Sequence, residues 1–395
     1  MSKLDDLINT LCHHGVQFKY LWEVTAWDKK FNSVDRRKQA TVIDYHYFLA
    51  GDLKSIVKDD GDIKILTTNI SNLYTTKEYV EGFVSEGEIV CLPWGGNPVI
   101  QYYKGSFVTA DNRIATSINT DILTNKFLFY VLINKLYLIS SFYRGSGIKH
   151  PDMSKVLDIK IPVPPLSVQA EIVRILDNFT ELTAELTAEL TAELTARRKQ
   201  YEYYRDFLLT FGDEVPMKPL SEVCVLSAGG DVPKRHFLKE KTNEYKVPIY
   251  SNGIGDNALY GWTNEARIND PCITIAARGT IGYVALRNEP FVPVVRLICA
   301  IPKECINVRY LKYATETLNF KVPTSGIPQL TVPMIGKYNI PVPPLDEQER
   351  IVAILDRFDA LCNDLTSGIP AEIEARQKQY EYYRDKLLTF KKLEV

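Results

Sequence analysis

The hexapeptide Ile161-Pro162-Val163-Pro164-Pro165-Leu166 returns unchanged as Ile340-Pro341-Val342-Pro343-Pro344-Leu345, and the offset of 179 residues then holds for the residues around it. At that offset Gln169 falls on Gln348, Ile172 on Ile351, Leu176 and Asp177 on Leu355 and Asp356, and Phe179 on Phe358. The block Lys199-Gln200-Tyr201-Glu202-Tyr203-Tyr204-Arg205-Asp206 falls on residues 378–385, and Ser146-Gly147-Ile148 on Ser325-Gly326-Ile327. An offset that never changes means two copies of equal length. The stretches 1–145 and 212–324 share only a faint echo at their starts, residues 16–24 against 215–223. The layout is variable, repeated, variable, repeated: two similar scaffolds carry two different globular parts.

Each repeat opens on prolines, which fix φ and make a rigid, extended lead. Asp346, with Glu349 three residues on, has the spacing of a capping box, and Ser167 is the cap candidate of the first copy. Ile172, Ile175, Leu176, Phe179, Leu182, Leu186, Leu190 and Leu194 then recur at spacings of three and four, with no proline or glycine between 168 and 209. That predicts a helical rod of roughly 60 Å. A lone rod cannot bury such a stripe, so it needs a long partner, and the second copy is the natural one. Thr-Ala-Glu-Leu occurs three times in succession, at 183–186, 187–190 and 191–194. A tetrad exceeds one helical turn, so its leucines drift by about 40° per repeat, and the tetrads read as a length-setting insert. In the second copy Ser367-Gly368-Ile369-Pro370 predicts a kink or split, with Gly368 near a C′ position and Pro370 near N1.

Composition divides the chain in the same way. A length of 395 residues predicts two or three domains, and 45% hydrophobic with 24% charged residues is ordinary for a folded chain. The net charge of −2 hides a contrast: residues 168–210 carry −3 and 346–389 carry −4, which leaves +5 on the remainder. Basic globular parts on acidic connectors fit readers that touch phosphate. Seven dispersed cysteines without a Cys-x-x-Cys suit a reducing cytoplasm. Cys12-His13-His14 lacks a further ligand at metal spacing and reads as a surface cluster, so no metal site is expected. No apolar run reaches the ~20 residues of a membrane span, and 127–139 reads as helix within a folded domain. Gly-x-x-x-x-Gly-Lys-Ser/Thr, His-Glu-x-x-His and Gly-x-Ser-x-Gly are all absent. The sequences at 97–100 and 270–273 begin like an amino-methyltransferase loop but lack its second proline and aromatic, so both read as turns.

The proline-rich lead, the Gln-x-x-Ile-Val-x-Ile-Leu-Asp helix start, the tetrads and the twin Lys-Gln-Tyr-Glu-Tyr-Tyr-Arg-Asp blocks together resemble the DNA specificity subunit of type I restriction–modification enzymes. The tetrads point to the subfamily called IC. The resemblance implies an α+β chain with a pseudo-twofold internal repeat. Two target-recognition domains, 1–150 and 216–330, would be separated by long antiparallel coiled-coil-like helices of the conserved regions 151–215 and 331–395. It implies a non-catalytic subunit of an adenine-N6 DNA methyltransferase and restriction endonuclease complex, with double-stranded DNA, two modification methyltransferase subunits and motor/nuclease subunits as partners. The chain itself would hold no cofactor; its partners would use S-adenosylmethionine, ATP and Mg2+. The tetrad count would act like a ruler for the spacer between two half-sites. The rival reading is a dimerisation scaffold that joins two protein clients and binds no DNA.

A DNA reader needs cations for phosphate, Arg, Asn or Gln for base edges, and tight turns for close approach. In the first domain the candidates are the basic run Lys29, Lys30, Arg36, Arg37 and Lys38, then Thr67, Thr68 and Asn69 after the strand-like 63–66, then Trp94 and Asn97 after 88–92, and Arg113, Arg144 and Lys149. In the second they are Lys234, Arg235 and Lys241, then Asn252 after the strand-like 247–250, Asn257, then Arg278 and Thr280 after the strand-like 273–277, with Ser325 and Gln329. Leu176, Phe179, Leu182, Leu186, Leu190, Leu194, Tyr201, Tyr204, Leu355, Phe358, Tyr380 and Tyr383 are the candidates for helix packing or subunit docking.

Overall fold

The computed structural model describes residues 3–233, 236–322, 328–363 and 368–393. The chain divides into two units, Met1–Thr187 with Ala375–Val395, and Ala188–Glu374. In the first, the chain runs α1 (Lys3–Leu11), β1 (Gln17–Tyr20), α2 (Leu21–Val24), β2 (Thr25–Trp27), β3 (Ile63–Leu66), β4 (Tyr74–Thr75), β5 (Ser85–Pro93), β6 (Gln101–Thr109), β7 (Asn112–Ser117), α3 (Asn125–Asn134), α4 (Leu136–Ser141), β8 (Tyr143–Arg144), β9 (His150–Pro151), α5 (Met153–Leu157), β10 (Lys160–Val163) and the start of α6 (Leu166–Leu208). The 127–139 stretch is thus parted at Lys135 into α3 and α4. The second unit continues with β11 (Met217–Pro219), α7 (Leu220–Val223), β12 (Cys224–Ala228), β13 (Val247–Tyr250), β14 (Leu259–Thr263), β15 (Cys272–Ile275), β16 (Val284–Arg287), β17 (Val292–Pro293), β18 (Ile298–Pro302), α8 (Val308–Glu316), α9 (Val332–Ile335), β19 (Asn339–Pro341), α10 (Leu345–Asn363) and α11 (Ile369–Leu387), whose end returns to the first unit.

The two β domains differ in extent and share a centre. The first has one six-stranded sheet in the order β2-β7-β5-β6-β3-β4. The second has a four-stranded sheet, β12-β18-β15-β16, and a separate three-stranded one, β14-β13-β17. Four strands correspond throughout: β2 pairs antiparallel with β7 as β12 does with β18, β5 with β7 as β15 with β18, and β5 with β6 as β15 with β16. The registers Thr25↔Ser117 and Cys224↔Pro302 align the two centres residue by residue. The first domain extends its centre by pairing β3 parallel to β6; the second places its extra strands elsewhere. In both domains the strand before the first short helix pairs with the proline-rich lead of a repeat, β1 with β10 and β11 with β19.

The helix α6 runs unbroken for 43 residues, about 64 Å, through all three tetrads. Its burial is confined to its first turns: Val168, Ile172 and Leu176 are fully buried, whereas Leu182 is 59% exposed. Leu186, Leu190 and Leu194 are half-buried. The expected continuous stripe is corrected accordingly: two steps of three residues turn Leu182 about 120° from the face of Leu176, and the tetrads then bring Leu186, Leu190 and Leu194 back by about 40° each. The second rod is split, as the Gly-Ile-Pro sequence predicts, into α10 and α11. Gly368 directly precedes α11 and Pro370 is its second residue; the segment 364–367, which follows α10, lies outside the described residues. Ser367 lies outside the described residues. Asp346 and Ser167 are second residues of helices that begin at Leu345 and Leu166, so neither is the cap. Asp346 and Glu347 instead place negative charge in a first helical turn, where the helix dipole favours it.

Each unit joins the start of one repeat helix to the end of the other. In the first, Phe179 meets Tyr383 (ring centres 5.8 Å apart) and Thr180 meets Tyr380 (3.1 Å). Residue numbers rise along α6 as they fall along α11, so the pair is antiparallel. In the second unit Phe358 stacks on Tyr204 at 5.5 Å, and Tyr201 lies 3.5 Å from Glu316. The chain's ends are also stitched in the first unit: the Val16 amide donates to the Lys391 carbonyl (2.8 Å) and the Leu393 amide to the Val16 carbonyl (2.9 Å). Gly15, at φ 102°, makes this approach possible, since a Cβ there would lie 2.7 Å from that same Lys391 oxygen.

Candidate nucleic-acid interface

Both domains are fastened to the repeat helices by one set of contacts. Gln169 and Gln348 are fully buried. The Gln169 amide donates to the carbonyls of Pro164 (2.8 Å) and Ile122 (2.7 Å), and its oxygen accepts from the Thr124 amide (2.9 Å). Gln348 donates to Pro343 (2.8 Å) and Cys305 (3.1 Å) and accepts from the Asn307 amide (2.8 Å). Thr124 and Asn307 are the N-caps of α3 and α8, so each glutamine locks a domain helix to a repeat helix. Further along each domain helix, Tyr130 donates to Asp177 (2.5 Å) and Tyr313 to Asp356 (2.7 Å). Burial and then the adjacent carboxylate push both phenols up from their ordinary range. Lys126 and Arg309 complete the sets by pairing with the same two aspartates.

In the first domain several candidates gather around Trp94. The Lys29 ammonium and the Arg113 guanidinium each lie 4.9 Å from its ring centre, and the His150 ring stands 5.5 Å away. Burial, then the charge of Arg113, lower the Lys29 pKa. The Trp94 carbonyl bonds His150 Nδ1 at 2.7 Å, and the Gly96 amide donates to the Lys149 carbonyl, which ties the Asn97 loop to the β8–β9 hairpin that carries Arg144. Arg113 itself needs correction as a DNA contact. It is 6% exposed and ion-paired at 2.5 Å with the fully buried Asp28 carboxylate, which also accepts from Tyr47. Its charge is committed to the interior. Lys38 pairs with Asp158 (2.6 Å) and Arg37 with Asp35 (2.8 Å), while Lys30 and Arg36 are exposed. Thr67, Thr68 and Asn69 line a separate cleft of about 300 Å³ with Lys54 and Asp111.

In the second domain Asn252, Arg278, Thr280 and Gln329 come together. Arg278 donates through Nε (2.7 Å) and Nη2 to the Gln329 side-chain oxygen, so these two candidates hold each other. The Asn252 oxygen accepts from the Ala277 amide (2.7 Å), its Nδ2 donates to the Val295 carbonyl (2.6 Å), and Thr280 donates to its backbone oxygen (3.3 Å). Asn257 is exposed on the next turn, and Lys241 lies apart over the Trp262 ring at 4.8 Å. Lys234, Arg235 and Ser325 lie outside the described residues.

The structure adds three residues that the sequence pattern does not single out: Asp111, Val295 and Arg296 are the non-glycine residues with positive φ among those described, at 53°, 53° and 64°. Asp111-Asn112 is a recognisable turn pair, but nothing local marks Val295-Arg296. Of the helix candidates, Leu176 and Leu355 are buried and Tyr201, Phe358 and Tyr380 half-buried. Tyr204 and Tyr383 stack while staying 37% and 40% exposed. Among the described residues there is no group of three or more His, Cys, Asp or Glu able to hold a metal ion, and no helix long and apolar enough to cross a membrane. Cys12 is buried.

Two unlike β domains, each clamped to one copy of a repeated helix, define a mixed α+β adaptor. The family described as type I restriction modification DNA specificity domain matches residues 51–196 and 213–375. The chain belongs to that family. It is 39% identical over 309 residues to a putative type I specificity subunit of Mycoplasma pneumoniae, covering 75% of this chain and 91% of that one. It is 35% identical over 363 residues to a putative type I restriction enzyme specificity subunit of Haemophilus influenzae, covering 86% and 91%. Among solved structures, the fold matches the type I restriction–modification S subunit from M. genitalium (TM-score 0.52, 16% identity, 95% and 96% covered). It also matches a chain from a structure of type I R-M complex assembly (TM-score 0.58, 17% identity, 95% and 97% covered). The chain is therefore a DNA-recognition, or specificity, subunit of a type I restriction–modification system, and it is non-catalytic, as specificity subunits are. That role sets aside the scaffold without DNA.

Proposed function

We propose that the domains of residues 1–150 and 216–330 each read one half of an asymmetric, two-part DNA site, and that the helical segments 151–215 and 331–395 fix the distance between the halves. The observation that carries this reading is the duplicated clamp of Gln169 with Tyr130 and of Gln348 with Tyr313, which mounts two unlike domains on two like helices. Two readers on one rigid connector gain from effective concentration, because the second contact becomes intramolecular. Phosphate contacts come from the exposed cations Lys29, Lys30, Arg36 and Lys149, and base contacts from loops at strand ends.

Two methyltransferase subunits dock, one per half, on the repeated helices. Exposed rings there fit a protein partner: Tyr203 and Phe207 stack in parallel at 65% and 63% exposure, and Tyr382 is 62% exposed. Those subunits use S-adenosylmethionine and take an adenine out of the stack to methylate it. Motor and nuclease subunits use ATP and Mg2+. The complex works in the cytoplasm, where its seven cysteines remain thiols. The tetrads support assigning the chain to the IC subfamily, and it is 36% identical over 312 residues to the EcoR124I/EcoR124II specificity subunit of Escherichia coli, covering 72% of this chain and 75% of that one.

The test is to map methylated adenines in DNA from cells carrying the complex, with three tetrads and with one deleted. Each tetrad contributes about 6 Å of helix. Deletion is expected to shorten the spacer and leave both half-sites unchanged. A changed half-site, or a motif without two parts, would refute the reading.

A further inference from the structure

Among the described residues, the non-glycine ones held in the left-handed region, Asp111, Val295 and Arg296, all fall on one turn of the shared four-strand centre, present once in each domain. The turn leads into β7 in the first domain and into β18 in the second. The register makes the match specific: Ala115 opposes Val90, Ala300 opposes Ile273, and counting back from each alanine places Arg296 where Asp111 stands. Two domains with little sequence in common thus keep an unfavourable backbone at the same place. For a β-branched residue such as Val295 this conformation is a genuine outlier, and strain of this kind collects at functional sites.

Both turns are held from outside. In the first domain the Trp94 amide donates directly to the Asp111 carbonyl at 2.6 Å. In the second, the amide that corresponds to Trp94 belongs to Ala277, and Asn252 stands between it and the turn, accepting from Ala277 and donating to the Val295 carbonyl. The Val295 and Arg296 amides donate to the carbonyls of Gly230 and Gly229, and a Cβ on Gly229 would lie 2.7 Å from the Pro293 carbonyl carbon. The backbone of the second turn is therefore fixed while its side chains stay out. Val295 is 42% exposed, and Arg296 is exposed with no hydrogen bond or ion pair of its guanidinium among the described residues. Arg278, next to Ala277 in the chain, is by contrast engaged by Gln329. Asp111 is likewise exposed, at the rim of the cleft lined by Thr67 and Asn69.

We propose that this turn is the base-reading position of each domain, with Arg296 donating to the O6 and N7 of a guanine and Asp111 accepting from the N4 amine of a cytosine. A guanidinium matches two acceptors on a guanine edge and a carboxylate matches the cytosine amine. A rigid backbone presents each group without an ordering cost at binding. The inference rests on the reading of two half-sites above.

The experiment uses the full chain in its complex with the methyltransferase and reads the methylated motif for wild type, R296K, R296A and D111N. R296K and R296A are expected to relax one guanine of the half-site read by the second domain, with discrimination there falling roughly 10- to 100-fold and the other half-site intact. D111N is expected to relax one cytosine of the other half-site only. Each variant is thus the folding control for the other. An unchanged motif in R296A and D111N overturns the proposal. So does a loss of R296A binding that is uniform across sequences and restored by R296K, which is the pattern of a phosphate contact. A wild-type complex that marks no two-part motif would defeat the reading of half-sites instead.

Discussion

Compared residue by residue, the two β domains agree where they meet their helices and part at the turns leading into β7 and β18. Gln169 and Gln348 make the same three hydrogen bonds, and Tyr130 and Tyr313 reach equivalent aspartates. At the turns, an aspartate in one domain stands opposite an arginine in the other, and around Trp94 the first domain has a buried ion pair with no match at Ala277. The difference separates two demands. A mount must be identical for the repeated helices to carry either domain, whereas a reader must differ for the domains to see different bases. Fully buried, satisfied hydrogen bonds suit the first demand because nearly any substitution leaves an unpaired group.

The comparison breaks most visibly at Asp28. Replacement by Asn leaves the buried Arg113 guanidinium without a counterion, which is expected to cost about 3–5 kcal/mol in the first unit and nothing in the second. Peptide-resolved hydrogen exchange checks this; equal loss in both units would show that they do not unfold separately. Gln169→Ala and Gln348→Ala are expected to cost about 2–4 kcal/mol each, in opposite units, since each strands an N-cap amide and two carbonyls. Urea midpoints measure it, and a large difference between the two would deny the equivalence of the clamps. Tyr130→Phe and Tyr313→Phe remove one hydrogen bond to a carboxylate each, expected at about 1.5–3 kcal/mol. The smallest effect on folding belongs to the double change of Tyr203 and Phe207 to Ala: within about 0.5 kcal/mol, because both rings face solvent. Its expected consequence is weaker capture of the methyltransferase subunit, read by co-purification.

Much of the scaffold was legible in the residues alone. The constant offset announced two equivalent helices, the absence of Gly and Pro from 168–209 announced an unbroken one, and Gly368-Ile369-Pro370 announced the split of the other. The strand at Ile63–Leu66 was legible from its apolar run, and Val247–Tyr250 likewise. Other signals misled for identifiable reasons. Leucines at spacings of three and four looked like a core stripe, but two steps of three from Leu176 turn Leu182 outward. Arg113 looked like a DNA contact, but Asp28, eighty-five residues away, neutralises it.

The repeat by itself determined that the molecule has two like helical supports and two unlike passengers, because helix-forming pattern and repetition are local properties of the chain. Tertiary structure alone decided that the unlike passengers share a four-strand centre and a left-handed turn at the same register. That kinship lies in backbone pairing, which many sequences satisfy equally well, and a φ imposed by hydrogen bonds from Asn252 or Trp94 leaves no trace in the residues that bear it.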